Sequence, residues 1–364
     1  MHQVAEAARR GSAARSGVRG SPGRRLVLWL LLGAALLILV GLELTLGAVW
    51  IPPGEVLGLL AGTESDAVLG RILLEFRVPR MLTAIVAGAS LGVCGMLLQT
   101  TFRNPLADAW FLGLVHSARL GVAVLVVTSA AAGQTVLASL GVLSNLSLVV
   151  AAATGALVMT LILMALAPRV GPVTLLLSGL MLGQTAEGLI SVVLHFTTEA
   201  QARAFASWND GTFTTVSWSQ WSIMGALTLV GLVAALGRTK SLNSLMLGDD
   251  YARTLGLRVK RARIQALAAA ALLAGVVTAF CGPIAFLGLL APHLARALFG
   301  TADHRALVPA AAVTGAALAA LADLITHLPW SRHVLHMNAV MGLIGAPVVL
   351  VLLLRRAGVR RFEN

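Results

Sequence analysis

The sequence predicts an all-α, polytopic membrane protein of about ten transmembrane helices. Three observations predict it: the composition, a succession of long apolar runs, and the placing of arginine between those runs. Of 364 residues, 58% are apolar and 12% charged, and the mean hydropathy is +0.88. Soluble domains carry about 45–50% apolar and about 25% charged residues, so a water-soluble fold would leave too much apolar surface wet. The 37 glycines follow no period and there are only two cysteines, which excludes fibrous, disordered and disulfide-stapled classes. Cys94 and Cys281 lie in apolar surroundings without a C-x-x-C and read as small hydrophobes.

In chain order, residues 1–25 hold Arg9, Arg10, Arg15, Arg19, Arg24 and Arg25 among Gly, Ala and Ser, and read as a disordered basic tail. The run from Leu26 to Trp50 is too long for a signal-peptide core and no small-residue cleavage site follows, so it reads as the first span. A span needs about 20 apolar residues. Nine more are expected, at 81–101, 111–131, 143–168, 172–196, 218–237, 264–285, 284–300, 306–326 and 339–354. Gly282-Pro283 and Pro292 interrupt the stretch 281–300, so its spans are short. The transmembrane domain is thus 26–356, with a tail at 357–364.

An even number of spans puts both termini on one side. Both are basic, the second through Arg355, Arg356, Arg360 and Arg361, which places them in the cytoplasm by the positive-inside rule. Arg103, Arg169 and the segment 238–263 then fall inside, while 132–142 and 204–217 outside carry no Lys or Arg. One outer segment breaks the rule, with Arg71, Arg77 and Arg80 between the first two spans. At an offset of 187 residues Ala87-Gly88 matches Ala274-Gly275, Cys94-Gly95 matches Cys281-Gly282, Pro105 matches Pro292 and Gly113 matches Gly300. Two halves of five spans would have opposite orientation, the inverted repeat of many transporters.

Several chemistries are missing. Neither Lys240, after Thr239, nor Lys260, after Val259, sits in a phosphate-cradling loop. There is no H-E-x-x-H, and His333 and His336, three apart, read as an interfacial pair, so no metal site is expected. No catalytic pair is evident. An ion-coupled carrier places acids within the bilayer, and Glu43, Glu187 and Asp323 are the candidates. Asp323, with His327 one turn later, also fits a helix-end ion pair.

Three stretches are not generic membrane helix. The first is Arg77-Val-Pro-Arg80, then Gln99 and Arg103-Asn104-Pro105-Leu106-Ala107-Asp108. The second is Leu242-Asn243 and Leu247 to Gly256 in the basic inner loop. The third is Gly282 to Leu289, then Ala291-Pro292-His293-Leu294-Ala295-Arg296, Asp303-His304-Arg305, Ala322-Asp323 and Gly345-Ala346-Pro347. In order and spacing they resemble the FecCD family, permease subunits of type II ABC importers for iron–siderophores, haem and vitamin B12. The resemblance covers about residues 26–356.

The resemblance implies that Gly248, Asp249, Ala252, Arg253, Leu255 and Gly256 form a coupling helix that docks on an ATPase subunit. Small residues at i and i+4 would let one helix face approach another surface closely while Asp249, Asp250 and Arg253 stay wet; an amphipathic linker on the inner leaflet is the alternative. It implies that Arg77 and Arg80, with Arg71 as an unaligned extra, meet acidic residues of an extracytoplasmic binding protein, steering encounter. Contact with lipid headgroups is the alternative reading of these arginines. Where relatives have Arg after Ala-Asp this chain has His327, which makes docking pH-sensitive or moves it to Arg332. The family's pathway runs between two permeases along the fifth and tenth spans. Here the fifth offers Ser178, Gly183, Gln184 and Glu187, though small residues at such spacing also serve helix packing. Arg119, about two turns into the third span, departs from the family pattern and calls for a buried partner, with Glu187 the candidate.

The implied partners are a second copy or a sister permease, two ABC ATPase subunits, the binding protein and membrane lipid, with no nucleic acid. This chain binds no cofactor; Mg-ATP belongs to the ATPase. A ferric siderophore is the expected cargo, with haem or cobalamin the runner-up and an ion-coupled carrier the competing class.

Overall fold

The computed structural model describes residues 22–47, 49–63, 66–131, 142–327 and 335–361, all as helices and their connections, with no strand among them. Expectations for residues 1–21, 132–141, Arg332, His333 and 362–364 lie outside the described residues. Helix α1 (Pro22–Thr45) begins four residues before Leu26 and takes in Arg24 and Arg25. Proline is well suited to a first helical turn, where its missing N–H is not needed. Two short helices follow, α2 (Pro53–Ala61) and α3 (Ala67–Arg71). The Asp66 carboxylate caps α3 by accepting from the Val68 and Leu69 N–H groups at 2.9 and 3.0 Å.

From α3 the chain passes through a π-helical stretch, Ile72–Arg77, straight into α4 (Val78–Thr101). The second expected span is therefore the inner part of a 35-residue helix, Ala67–Thr101. Pro79 does not break it, because the widened turn ahead of it, in which Val78 donates to Leu73, leaves room for a ring without an N–H. There follow α5 (Leu114–Ala131), α6 (Val142–Leu166), α7 (Pro172–His195), α8 (Glu199–Asn209) and α9 (Trp218–Leu236). The connection after α9 holds α10 (Thr239–Met246) and α11 (Asp249–Thr254), and there follow α12 (Val259–Cys281), α13 (Leu287–Phe299), α14 (His304–His327) and α15 (Met337–Arg361). Helix α15 carries on through 357–361, which the sequence reading placed in a tail.

Seven of the described helices are long and apolar enough to cross a membrane. Three shorter apolar helices, Leu114–Thr128, Leu287–Phe299 and Met337–Val351, stand where the third, eighth and tenth spans were expected. The break in 281–300 falls at 282–286. Gly282 takes φ 74°, which favours glycine, and the end of α12 is met by Thr212 N–H on Cys281 O and Thr215 Oγ1 on Phe280 O, both at 2.8 Å.

Helix α4 is the centre of the molecule. Its Gly88 and Gly92 lie against the backbone of Gly315 and Ala311 in α14, and Gly95 lies against Gly288 in α13; a Cβ at any of the three would sit within 2.3 Å of a carbonyl oxygen. Without water to drive helices together, such close backbone approach is what associates them in a membrane. Gly121 and Gly155 join α5 to α6 in the same way. Of the offset pairs, Ala87-Gly88 and Ala274-Gly275 both lie inside helices, α4 and α12, whereas Cys94-Gly95 lies inside α4 and Cys281-Gly282 ends α12. Helix α1, by contrast, buries none of its most apolar window and shows Leu26, Leu30, Leu37 and Ile38 outward.

Candidate functional site

At the start of α4, the Arg80 guanidinium binds the Asp323 carboxylate through two hydrogen bonds, Nε to Oδ2 at 2.8 Å and Nη2 to Oδ1 at 3.1 Å. The pair is buried, with only 4% of the Asp323 side chain exposed. Arg77 donates to the backbone carbonyls of Leu44, at 2.6 Å, and Val49. Arg77 and Arg80, both half-buried, thus make contacts within the chain, Arg77 holding the π-helical stretch to the end of α1 and Arg80 holding α4 to α14. They reach solvent through a cavity of about 330 Å³ that Glu43 and His327 also line. The Glu43 carboxylate makes no hydrogen bond there. His327 Nδ1 lies 2.8 Å from the Asp323 carbonyl, so it closes the last turn of its own helix. Arg71 is exposed, 4.0 Å from Glu75. His336 lies beside Asp210, at 3.1 Å, and no group of three or more His, Cys, Asp or Glu among the described residues is placed to hold a metal.

Beyond the other end of α4, Gly248 (φ 106°) and Gly256 (φ 82°) bound the six-residue helix α11, each in a conformation that favours glycine. Asp249 is clamped by Arg263 of α12, Nη2 to Oδ2 at 3.0 Å, and faces Arg103 at 3.7 Å. Ala252 is fully buried against Leu245, Val259 and Ala262. Of the small residues only Ala252 is turned inward, Gly248 being half-buried and Gly256 exposed, and the exposed surface also carries Leu247, Tyr251 and Leu255, all more than half exposed, beside Asp250 and Arg253. Tyr251 and Leu255, four residues apart, share one side of α11, whereas Leu247 precedes the non-helical Gly248. Behind α11 the buried His304 bridges Thr100 Oγ1 and Asn243 Oδ1, each at 2.7 Å. The Asn243 amide donates to Asp303 at 2.8 Å. That hydrogen bond, with one from the Arg305 N–H, holds the Asp303 carboxyl below its ordinary range.

The family-pattern residues are mostly structural. Asn104 Oδ1 accepts from the Leu106 N–H at 2.9 Å and folds the turn over Pro105, leading Ala107 and Asp108 into the core. Pro292 and His293 are buried in α13, His293 Nδ1 lying 2.7 Å from Leu289 O, while Pro347 stands on the exposed side of α15.

Of the pathway candidates on α7, Gly183 packs against Gly113 and His116. Ser178 spends its hydroxyl on Thr174 O at 2.8 Å. Gln184 is exposed. Glu187 is gripped by both terminal nitrogens of Arg119, one at 3.2 Å, and Arg119 Nε donates to Asn209 Oδ1 at 2.6 Å. The partner expected for Arg119 is the one it has. Sequence reasoning missed Asn209 and Asn338; the latter bonds Pro283 O and the Ala285 N–H at 2.9 and 3.0 Å. A lone asparagine at a helix end or loop carries no periodic signal, so nothing in the chain pointed to either.

Comparison with known proteins agrees with this architecture. Residues 35–355 match the FecCD transport family. The chain is 36% identical over 339 residues to the vitamin B12 import system permease protein BtuC of Klebsiella pneumoniae, covering 92% of this chain and 96% of that one. It is 34% identical over 335 residues to the protein of that name from an Escherichia coli O17:K52:H18 strain, covering 91% and 96%. A solved structure, a metal-chelate type ABC transporter in an inward-facing conformation, matches with TM-score 0.77 over 90% of this chain and 99% of that one; at 24% identity it speaks for the fold. With a polytopic helical fold built on α4 and the family's match running from α1 to α15, the chain belongs to the FecCD transport family and is a permease subunit of a type II ABC importer.

Proposed function

We propose that this permease passes cobalamin, or a close corrinoid, across the cytoplasmic membrane, as half of a permease pair with both termini inside. The observation that carries the cargo is the identity to vitamin B12 permeases along nine-tenths of the chain. It favours the cargo that the sequence alone ranked behind a ferric siderophore, and no residue here is a ligand diagnostic of iron.

In this reading ATP is hydrolysed on separate subunits, since neither lysine of this chain lies in a phosphate-binding loop. The Leu247, Tyr251 and Leu255 face seats in the ATPase. Because Asp249 is clamped to Arg263, and α11 is tied by its buried Ala252 to α10 and α12, a push on that face moves α10 and the start of the α12 span as one body. Outside, a loaded binding protein meets exposed Arg71 and the mouth of the cavity holding Arg77 and Arg80. The cargo does not react; it needs only a passage whose access alternates. Two of the three acids that an ion-coupled carrier would use, Asp323 and Glu187, are held by arginines.

The test is ATP-dependent uptake by proteoliposomes holding the permease, its ATPase and its binding protein. Labelled cyanocobalamin should accumulate and a ferric hydroxamate should not. The opposite preference would overturn the cobalamin reading and restore the siderophore.

A further inference from the structure

The Arg119–Glu187 pair is unequal in a way that bears on selection. Its guanidinium is 11% exposed and its carboxylate 42%. Three of the five Arg119 N–H groups are engaged, the Nε one on Asn209 and one from each terminal nitrogen on Glu187. Glu187 accepts those bonds with one lone pair on each oxygen, and a carboxylate has about four such sites, so acceptor capacity remains on its open side. Glu187 is also far from either end of α7. At 1.5 Å per residue it lies about 12 Å from His195 and about 22 Å from Pro172. An open carboxylate at that depth is costly against lipid, so this side of α7 faces water or protein. Gln184, three residues earlier and exposed, shares that side.

We infer that Glu187, held in place by the positioning residue Arg119, is a specificity-determining residue of the passage: a fixed acidic acceptor that favours cargo with N–H donors and disfavours anionic chelates. The inference rests on the reading that α7 lines the passage. It fits the amide-fringed, weakly charged corrinoids and opposes ferric tris-catecholates, whose net charge is strongly negative.

A thiol reporter separates the two claims. In the assembled importer, Gln184→Cys is treated with methanethiosulfonates of similar size, one carrying trimethylammonium and one sulfonate. Cys94 and Cys281 are buried and leave the signal to the reporter. Relative to free cysteine, the cationic reagent should be favoured about tenfold. Glu187→Gln, which leaves Arg119 uncompensated, should reverse the preference. The Arg119→Gln/Glu187→Gln double variant, which buries no lone charge and so guards against a folding failure, should return it to the free-thiol value. A preference unmoved by Glu187→Gln and by the double variant overturns the role of Glu187 while leaving α7 in the passage. A reporter that reacts with neither reagent takes α7 out of the passage, and the inference falls with it.

Discussion

Arg80–Asp323 and Arg203–Glu199 have similar chemistry and opposite settings. The first is buried between α4 and α14; the second lies on one exposed face of α8, both side chains at least 77% exposed. Breaking a buried pair strands a charge and costs about 3–5 kcal/mol, whereas an exposed pair contributes about 0–1 kcal/mol. Asp323→Asn should therefore lower the thermal midpoint of the detergent-solubilised protein by several degrees and Glu199→Gln should leave it within error, with a double-variant cycle at Arg80 and Asp323 checking that the loss belongs to the pair. Glycines divide in the same way. Gly95→Leu would drive a side chain into the Gly288 backbone, beyond the ~1–3 kcal/mol of ordinary overpacking, and should yield no monodisperse protein by size exclusion. Gly33→Leu on the outer face of α1, where nothing lies within 4 Å, should behave as the native chain.

At the scale of the element, α11 decides how coupling is read. Tyr251→Asp with Leu255→Asp should leave the fold intact, by thermal midpoint, and reduce ATPase co-purification at least tenfold. Ala252→Arg puts a charge into the contact with Leu245, Val259 and Ala262 and should unfold the segment itself, seen as proteolysis between α10 and α12. The spacing Gly248, Ala252, Gly256 made this helix legible as a short element bounded by glycines. It did not show which face points out, because six residues are too few for an apolar stripe to declare itself and the burying surface comes from α10 and α12. The outer arginines were legible as a cluster but not as a bound one. Arg77 is satisfied by two backbone carbonyls, which leave no mark on a sequence, and Arg80 by a carboxylate 243 positions away. The Arg119–Glu187 pairing could be suspected, since charges within the third and fifth spans of an apolar chain have few other partners.

At the scale of the whole molecule, the spans were legible because hydrocarbon demands long apolar helices and basic connections, whereas π-turn continuity from α3 into α4 depends on packing around Pro79. The described chain leaves apolar side chains of α7 and α15 without cover from its own helices, Leu177, Met181, Leu343 and Leu350 among them, as it does on α1. The central claim is that this chain couples a passage to ATP hydrolysed elsewhere. The most direct measurement is affinity purification of the native chain in mild detergent beside the Tyr251→Asp/Leu255→Asp variant, with identification and counting of what comes with each. The account predicts two ATPase subunits and a second permease with the native chain, and the permease pair alone with the variant. No ATPase with either, from cells in which the importer is active, would contradict it and return Glu43, Glu187 and Asp323 to consideration as the machinery of an ion-coupled carrier.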